Sequence, residues 1–234
     1  MRTRLTLLLV LGFVLGLLAP PVAASSGTLW IAESTVLTES HYGQVYVTSS
    51  DITLECADEV GIFGSGWGYG ISIRGSKSGV VIRNCEVANF KSGIFVDGAS
   101  ANRIEGNRVH DNTWSGIELR YSANDNMVVG NELWGNPFGV NVRYSTSNTV
   151  TDNYAHDNTD GLHLYRSTFT KLVGNRSAHN HDHGISLSLS VDNTVEGNIV
   201  EFNEFFGIVS WGSSRNAYVS NTVTGNTNDG IHMG

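Results

Sequence analysis

Several residue types are scarce in this 234-residue chain, and each scarcity narrows the class of protein. There are only 3 Pro, and Gly does not recur at every third position, which excludes a collagen-like triple helix. Charged residues make up 15% of the chain, below the roughly 25% of ordinary globular domains. Basic residues (14) are outnumbered by acidic ones (22), so the formal net charge of −8 argues against a general nucleic-acid binder.

Cysteine is also scarce, since the chain has only Cys56 and Cys85. Neither belongs to a C-x-x-C pair, so their spacing does not indicate a thiolate metal site. In an exported protein the two could form a disulfide, whereas two small side chains buried in neighbouring layers are the other interpretation. The sequence leaves both open.

Long apolar runs are confined to the amino terminus. Residues 1–4 are basic, residues 5–19 are mostly apolar, and small residues at 22–24 precede Ser25. This order predicts a secretory signal peptide over residues 1–24, because the apolar run is shorter than the ~20 residues of a membrane span. We therefore expect a secreted or periplasmic protein without a membrane span after cleavage.

The chain is rich in Gly (27) and Asn (22), and both residues recur periodically, Gly every 22 or 23 residues and Asn every 22 to 24. A Gly followed by an aliphatic residue marks each repeat: Gly70, Gly93, Gly116, Gly139, Gly161, Gly184, Gly207 and Gly230. Asn keeps the same phase: Asn84, Asn107, Asn131, Asn153, Asn175, Asn198 and Asn221, each followed five residues later by a second Asn. After each marker Gly the chain alternates apolar and polar residues, which indicates a half-buried strand, and two short apolar patches complete the repeat.

Three short strands per repeat predict an all-β, right-handed parallel β-helix of about eight coils. A stacked Asn can bond its amide to the Asn of the next coil and satisfy the bends between strands. The predicted divisions are a signal peptide (1–24), an N-terminal cap with an irregular first coil (25–69) and the β-helix repeats (70–234). No polar cap follows the last marker Gly, so either the sequence is a fragment or a partner covers the carboxyl-terminal end.

The Gly-Ile-x-Leu…Asn…Asn pattern resembles the right-handed parallel β-helix repeat proteins over residues 51–234. That group includes pectate-lyase-like carbohydrate enzymes, bacterial mannuronan C5-epimerases and NosD-type periplasmic accessory proteins linked to copper delivery. The resemblance implies the fold and suggests polysaccharide as substrate or ligand. Epimerases of this kind carry Asp-Pro-His-Asp/Glu after a Gly-aliphatic pair, and the similar strand here, Gly161-Leu162-His163-Leu164-Tyr165, keeps the His without the Asp-Pro.

Two columns of side chains, two and four residues after each marker Gly, are predicted to face solvent on one sheet. On three successive coils they are Glu118, Arg120, Asn141, Arg143, His163 and Tyr165. These residue types suit uronate chemistry, in which a neutralised carboxylate acidifies the C5 proton that a base removes. We assign Arg143 and Asn141 as neutralisers, His163 as base and Tyr165 as acid.

Substrate binding is assigned to three further residues. Arg120 and Glu118 flank the predicted catalytic group, and Trp211, two coils beyond Tyr165, could stack on a sugar ring. Glycoside hydrolysis is a lower-ranked alternative, because Asp97 and Glu118 are predicted ~8 Å apart, within the ~6.5–9.5 Å of inverting enzymes.

A histidine run, His179, His181 and His183, is the candidate metal site, since imidazoles bind Cu and Zn. The alternative is a polar turn without a metal. The chain has no calcium-binding nonapeptide repeat. The sequence does not identify a cofactor: a Cu ion on this run and a Ca²⁺ ion bridging substrate to Asp residues both remain open.

Two classes of function are therefore open. The first is an enzyme on polysaccharide, a uronate lyase or C5-epimerase. The second is a non-catalytic glycan-binding protein or a NosD-like accessory or scaffold protein, which the acidic charge favours because polyuronates would be repelled.

Overall fold

The computed structural model describes residues 25–234, so the predicted signal peptide lies outside the described residues. Over this range the chain is an all-β parallel solenoid, and these residues contain no helix. Accordingly, the described part of the chain has no helix long and apolar enough to cross a membrane. Three parallel sheets of 10, 10 and 9 strands run along the solenoid, which makes nine complete turns and the beginning of a tenth. The predicted fold is confirmed, with about one turn more than the sequence suggested.

Each turn visits the three sheets in the same order. The first sheet consists of Ser25–Ser26, His41–Tyr42, Gly61–Phe63, Glu86–Ala88, Arg108–His110, Glu132–Trp134, Tyr154–His156, Arg176–Ala178, Ile199–Glu201 and Thr222–Thr224. The second sheet consists of Leu29–Ile31, Val45–Val47, Tyr69–Arg74, Ser92–Asp97, Ser115–Arg120, Phe138–Arg143, Asp160–Tyr165, Ile185–Ser188, Ile208–Trp211 and Ile231–Met233. The third sheet consists of Thr35–Leu37, Thr53–Cys56, Val81–Arg83, Arg103–Glu105, Met127–Val129, Thr149–Thr151, Lys171–Val173, Thr194–Glu196 and Ala217–Val219.

The sequence repeat becomes a set of columns, because equivalent residues of successive turns are Cα partners. In the second sheet, Ile94 pairs with Ile117, Ile117 with Val140, and Val140 with Leu162. These four side chains are buried and belong to one continuous apolar core along the axis. Their burial supplies the main driving force for stacking the turns.

From Asn102 onward the Asn columns form hydrogen-bonded ladders at the bends between strands, as predicted. The predicted members Asn84 and Asn89 are exposed and lie outside the ladders, because the backbone N–H groups of Cys85 and Phe90 take their places beneath Asn107 and Asn112. Asn158 shows the pattern. Its Oδ1 accepts hydrogen bonds from the backbone N–H (3.1 Å) and Nδ2 (3.0 Å) of Asn136 on the preceding turn. Its Nδ2 donates to Asn180 Oδ1 (3.2 Å), Leu133 O (3.0 Å) and His156 O (2.9 Å). Each Asn therefore satisfies backbone groups that the bend takes out of the sheet ladder.

The marker Gly residues lie where adjacent turns approach closely. A Cβ added to Gly139 would lie 2.5 Å from the carbonyl oxygen of Gly161 and 3.2 Å from Ala155 Cβ. No side chain fits there without a shift of the backbone, which explains why the sequence keeps Gly at this phase.

Strands of all three sheets continue into residues 25–69, the segment predicted to hold a cap and an irregular coil. Its turns are uneven in length, so the 23-residue phase is absent. Ser25 and His41, which pair between turns, are 16 residues apart, whereas the paired residues Val45 and Ile71 are 26 apart. The structure also decides the question of the cysteines, because Cys56 and Cys85 form a disulfide with their Cα atoms 4.9 Å apart.

Candidate functional site

The candidate site lies on the outer side of the second sheet, where the two predicted columns run. The structure corrects the prediction that both columns face solvent. In the column four residues after the marker Gly, the Arg120 and Arg143 side chains are 24% and 27% exposed. In the column two residues after the marker Gly, Glu118 and Asn141 are buried, with 1% and 0% of their surface exposed. Of the predicted site residues in this column, only His163 is partly exposed.

A third column explains this burial. The residue immediately before each marker Gly also turns outward and contacts the side chain of the next turn. Ser92 Oγ donates to Glu118 Oε2 at 2.7 Å. Similarly, Ser115 Oγ accepts from Asn141 Nδ2 at 3.2 Å, and the Phe138 ring stacks on His163 at 4.8 Å. This column was not predicted from the sequence, although its fixed position before each marker Gly was the signal that could have found it.

Glu118 is held between two guanidinium groups. Its Oε1 lies 4.0 Å from Arg120 Nη1 and 3.9 Å from Arg143 Nη1, and this buried oxygen has no hydrogen-bond partner among residues 25–234. Because Glu118 is covered, it does not present its carboxylate to a ligand. Instead, Glu118 aligns the partly exposed guanidinium groups of Arg120 and Arg143, which can contact a ligand.

Asp97 is the other carboxylate of the alternative hydrolase pair. Its Oδ2 lies 3.4 Å from Arg120 Nη2. Both carboxylates of the predicted pair, Asp97 and Glu118, are thus in contact with the same guanidinium. An acid engaged in this way is poorly placed to donate a proton to a glycosidic oxygen, so the geometry does not favour hydrolysis.

Asn141 orients the imidazole of His163. Since its Nδ2 donates to Ser115, its Oδ1 faces His163 Nδ1 at 3.1 Å and accepts a hydrogen bond from the Nδ1–H. This bond selects the tautomer in which Nε2 carries the free lone pair. Fully buried Asn141 cannot neutralise a substrate carboxylate itself, so its predicted role changes to positioning His163.

The electrostatic environment keeps His163 neutral. Burial, together with the nearby Arg143 and His183, lowers its pKa from 6.5 to about 4. A neutral imidazole with an oriented Nε2 can accept a proton at physiological pH.

Tyr165 lies beside Arg143, to which it is paired in the strand register. The Arg143 guanidinium carbon lies 5.6 Å from the Tyr165 ring centre, and the Tyr144 ring meets the Tyr165 ring edge-on at 5.3 Å. The neighbouring Tyr165 side chain raises the pKa of Tyr144. The structure therefore brings together Arg143, Asn141, His163 and Tyr165, with Glu118 and Arg120 on the adjoining turn.

Trp211 is more remote. It occupies the same column as Tyr165 two turns further along, with Ser188 between them, and its side chain is exposed. Its ring lies 4.9 Å from that of His232, so it forms part of a separate aromatic surface near the last turn.

The predicted histidine metal site is not assembled as a set of three. His179 stacks on Phe202 at 5.5 Å, and exposed His181 lies 3.2 Å from Glu204 Oε1. Only His183 joins a cluster of potential ligands, formed with Asp160 and Asp182.

A parallel solenoid with a polar and aromatic outer sheet defines a class of β-helix proteins, and the chain belongs to one family of that class. The family model described as a right handed beta helix region matches residues 23–147, 59–176 and 136–234, which together cover most of the chain.

Two curated relatives share parts of the sequence. The 3-dehydroshikimate dehydratase of Acinetobacter baylyi is 31% identical over 130 residues, which are 53% of this chain and 24% of that protein. The mannuronan C5-epimerase of Pseudomonas putida is 32% identical over 109 residues, 45% of this chain and 21% of that protein. The chain thus matches less than a quarter of the length of either relative.

Solved structures agree on the fold. The A-module of the Azotobacter vinelandii mannuronan C-5 epimerase AlgE4 superposes with a TM-score of 0.63 at 19% identity, covering 87% of this chain and 68% of that one. An alginate lyase from a Paenibacillus species gives a TM-score of 0.54 at 14% identity, covering 91% and 92%. The periplasmic alginate epimerase AlgG gives 0.53 at 18% identity, covering 89% and 67%.

Proposed function

We propose that this protein is an exported enzyme that acts on acidic polysaccharide, as a uronate lyase or a uronate C5-epimerase. The observation that carries the proposal is the oriented, neutral imidazole of His163 beside the partly exposed guanidinium of Arg143. The names of one curated relative and of several structural neighbours, mannuronan and alginate epimerases and an alginate lyase, support this substrate class.

The chemistry begins at the uronate carboxylate. Arg143, with Arg120 on the preceding turn, binds this group and offsets its charge, which makes the C5 proton more acidic. His163 Nε2 then accepts the C5 proton, while Asn141 holds the other ring nitrogen.

Tyr165 completes either reaction as the acid. In elimination, its hydroxyl donates a proton to the glycosidic oxygen as the C4–O bond breaks and a C4–C5 double bond forms. In epimerisation, it donates to C5 from the opposite face, and the bond to the leaving sugar stays intact. Both steps start from the same carbanion, so the same four residues serve both outcomes.

Export is proposed on three grounds. Residues 1–24 have the order of a signal peptide, Cys56 and Cys85 are joined in a disulfide, and the neighbour AlgG is described as periplasmic.

A proton NMR time course tests the activity. The protein is incubated with alginate, polygalacturonate or a neutral glucan, with and without Ca²⁺. Signals of an unsaturated uronate indicate a lyase, and altered ratios of anomeric signals indicate an epimerase. We expect His163→Gln to abolish the change and His179→Gln, a variant of an exposed histidine outside the site, to leave it intact.

Three results would contradict the proposal. Turnover that survives His163→Gln would place the base elsewhere. New reducing ends without unsaturation would indicate hydrolysis. Binding of polyuronate without any spectral change would favour the non-catalytic glycan-binding alternative.

A further inference from the structure

A second cluster of ionisable side chains lies where two consecutive turns enter the second sheet. Asp160, Asp182 and His183 each offer one ligand atom, and these atoms all lie within 4.8 Å of one another. Within residues 25–234, no other three His, Cys, Asp or Glu side chains come this close together. Asp160 comes from one turn and the adjacent Asp182 and His183 from the next.

The Asp160 carboxylate is buried and already fixed in orientation. Its Oδ1 accepts a hydrogen bond from the backbone N–H of His183 (3.2 Å), and its Oδ2 accepts one from Ser186 Oγ (3.0 Å). Each oxygen keeps a further lone pair. Hydrogen bonds of this kind behind a carboxylate are typical of the groups that orient metal ligands.

The His183 ring is held in place and has an unsatisfied nitrogen. Phe206 stacks on it with ring centres 5.5 Å apart, and Phe205 packs at 5.5 Å. Its Nδ1 is buried and, among the described residues, has no hydrogen-bond partner, although Asp182 Oδ1 lies 3.3 Å away. An imidazole nitrogen buried in this way loses free energy unless a ligand occupies the position that it faces.

We propose that Asp160, Asp182 and His183 bind a divalent transition-metal ion, for which Zn²⁺ is the best match. Zinc takes imidazole nitrogen and carboxylate oxygen at ~2.0–2.2 Å, so two tetrahedral ligands lie roughly 3.4 Å apart. The 3.3 Å between His183 Nδ1 and Asp182 Oδ1 fits this spacing, and the ligand atom of Asp160 lies within 4.8 Å of both.

The types of donor atom also favour Zn²⁺ over Ca²⁺ and Mg²⁺. Ca²⁺ and Mg²⁺ prefer all-oxygen ligands, whereas one imidazole with two carboxylates suits Zn²⁺. Three protein ligands leave a fourth position for water or an anionic group. The proposal does not depend on the uronate chemistry, because it concerns binding of the ion alone.

Calorimetric titration of the metal-free protein with Zn²⁺ tests the site, with Ca²⁺ titrated in parallel. We expect saturable binding of one Zn²⁺ per chain, at least ten times tighter than Ca²⁺. His183→Gln and Asp182→Asn should each weaken Zn²⁺ binding at least tenfold. The Asp182 side chain is 45% exposed, so its variant separates loss of the site from loss of the fold.

A matched control is available on the first sheet. His156 also precedes an Asp, with its Nδ1 2.6 Å from Asp157 Oδ2, but it is not part of a cluster of three. His156→Gln should leave Zn²⁺ affinity unchanged. Co²⁺ provides a second readout, because its visible absorption in the wild type should disappear in His183→Gln.

The proposal would be overturned by the absence of one-to-one Zn²⁺ binding, or by binding that both site variants retain. Equal losses in His156→Gln and His183→Gln would also overturn it, because they would indicate scattered surface sites. In that case the cluster is a purely structural arrangement, in which Asp160 caps the backbone N–H of His183.

Discussion

Asn141 Oδ1 and His163 Nδ1, on neighbouring turns of the second sheet, lie 3.1 Å apart. The contact joins a fully buried amide to a partly exposed imidazole, so Asn141 fixes the tautomer that His163 presents on the outer side of the sheet. Two consequences of this pair can be measured, one on stability and one on activity.

The stability consequence follows from the lowered pKa of His163. In the unfolded chain the imidazole protonates near its ordinary value of 6.5, whereas in the folded protein burial delays protonation to about 4. Between these two pH values the unfolded state binds more protons than the folded state, so the free energy of unfolding decreases as pH falls. The contribution of neutral His163 to stability is complete only above pH ~6.5. The complete shift is worth roughly 3 kcal/mol.

Urea unfolding of the wild type and His163→Gln at several pH values checks this. We expect the difference between the two proteins to change from pH 7 to pH 4.5, with the wild type losing more stability. A constant difference across that range would mean that His163 titrates normally.

For activity, we expect kcat/KM on polyuronate to be flat between pH 5.5 and 8 and to decrease toward pH 4. The base is already deprotonated across the upper range, so no rise near pH 6.5 should occur. A limb with a midpoint near 6.5 would contradict the low pKa of His163.

Arg143→Gln should lower kcat/KM on polyuronate by about 100-fold, with most of the loss in kcat. The reason is that charge on the substrate carboxylate increases as the C5 proton leaves. Arg74→Gln, in the same column near the first turns, is the matched control and should change kcat/KM less than threefold. Equal effects in both variants would indicate general electrostatic attraction instead of a local role.

Asn158→Ala should lower the free energy of unfolding by about 3 kcal/mol or more, because both ladder neighbours lose buried hydrogen bonds. Exposed Asn228→Ala is the control, with an expected change within about 0.5 kcal/mol. Denaturant midpoints measure both. A small effect in Asn158→Ala would mean that water replaces the amide in the ladder.

Two glycines of the same column should respond differently to alanine. Gly139→Ala places a Cβ 2.5 Å from the Gly161 carbonyl oxygen and should destabilise by about 2–3 kcal/mol. In Gly230→Ala the nearest atom to the new Cβ is Val223 Cγ1 at 3.4 Å, so stability should change little. Thermal unfolding compares them, and similar losses would show that close approach between turns is not the cause.

Reduction of the Cys56–Cys85 disulfide should destabilise the protein by about 3–4 kcal/mol, as expected for closing a segment with a sequence separation of 29. The double variant Cys56→Ala/Cys85→Ala should show a similar loss and no further response to reductant. If the reductant still lowers the unfolding midpoint of this variant, the effect does not come from the disulfide.

The repeat made most of the fold predictable. In a solenoid, residues one period apart become neighbours in space, so the columns of Gly and Asn could be read directly from their spacing. Residues 25–69 were harder, because their turns differ in length and the period disappears even though the sheets continue.

The candidate site was only partly predictable. Periodicity placed His163 next to Asn141 and Arg143 next to Tyr165, and the structure places these pairs on adjoining strands. Periodicity did not reveal that Ser92 and its equivalents turn outward and cover the column two residues after each marker Gly. The outward direction of these side chains depends on a local irregularity of the strand at each marker Gly. A strict alternation of inward and outward residues does not predict this irregularity.

The sequence by itself determined the number of strands per turn, the stacking of the core and the ladders, because these follow from the order of residues within a single repeat. Only the tertiary structure decided which outward side chains are buried, that Cys56 bonds Cys85, and that His183 meets Asp160 instead of His179 and His181. Those outcomes depend on the rotation of individual side chains at the bends and on contacts between neighbouring turns. A period in the sequence fixes which turns are adjacent, but not the direction in which each side chain points.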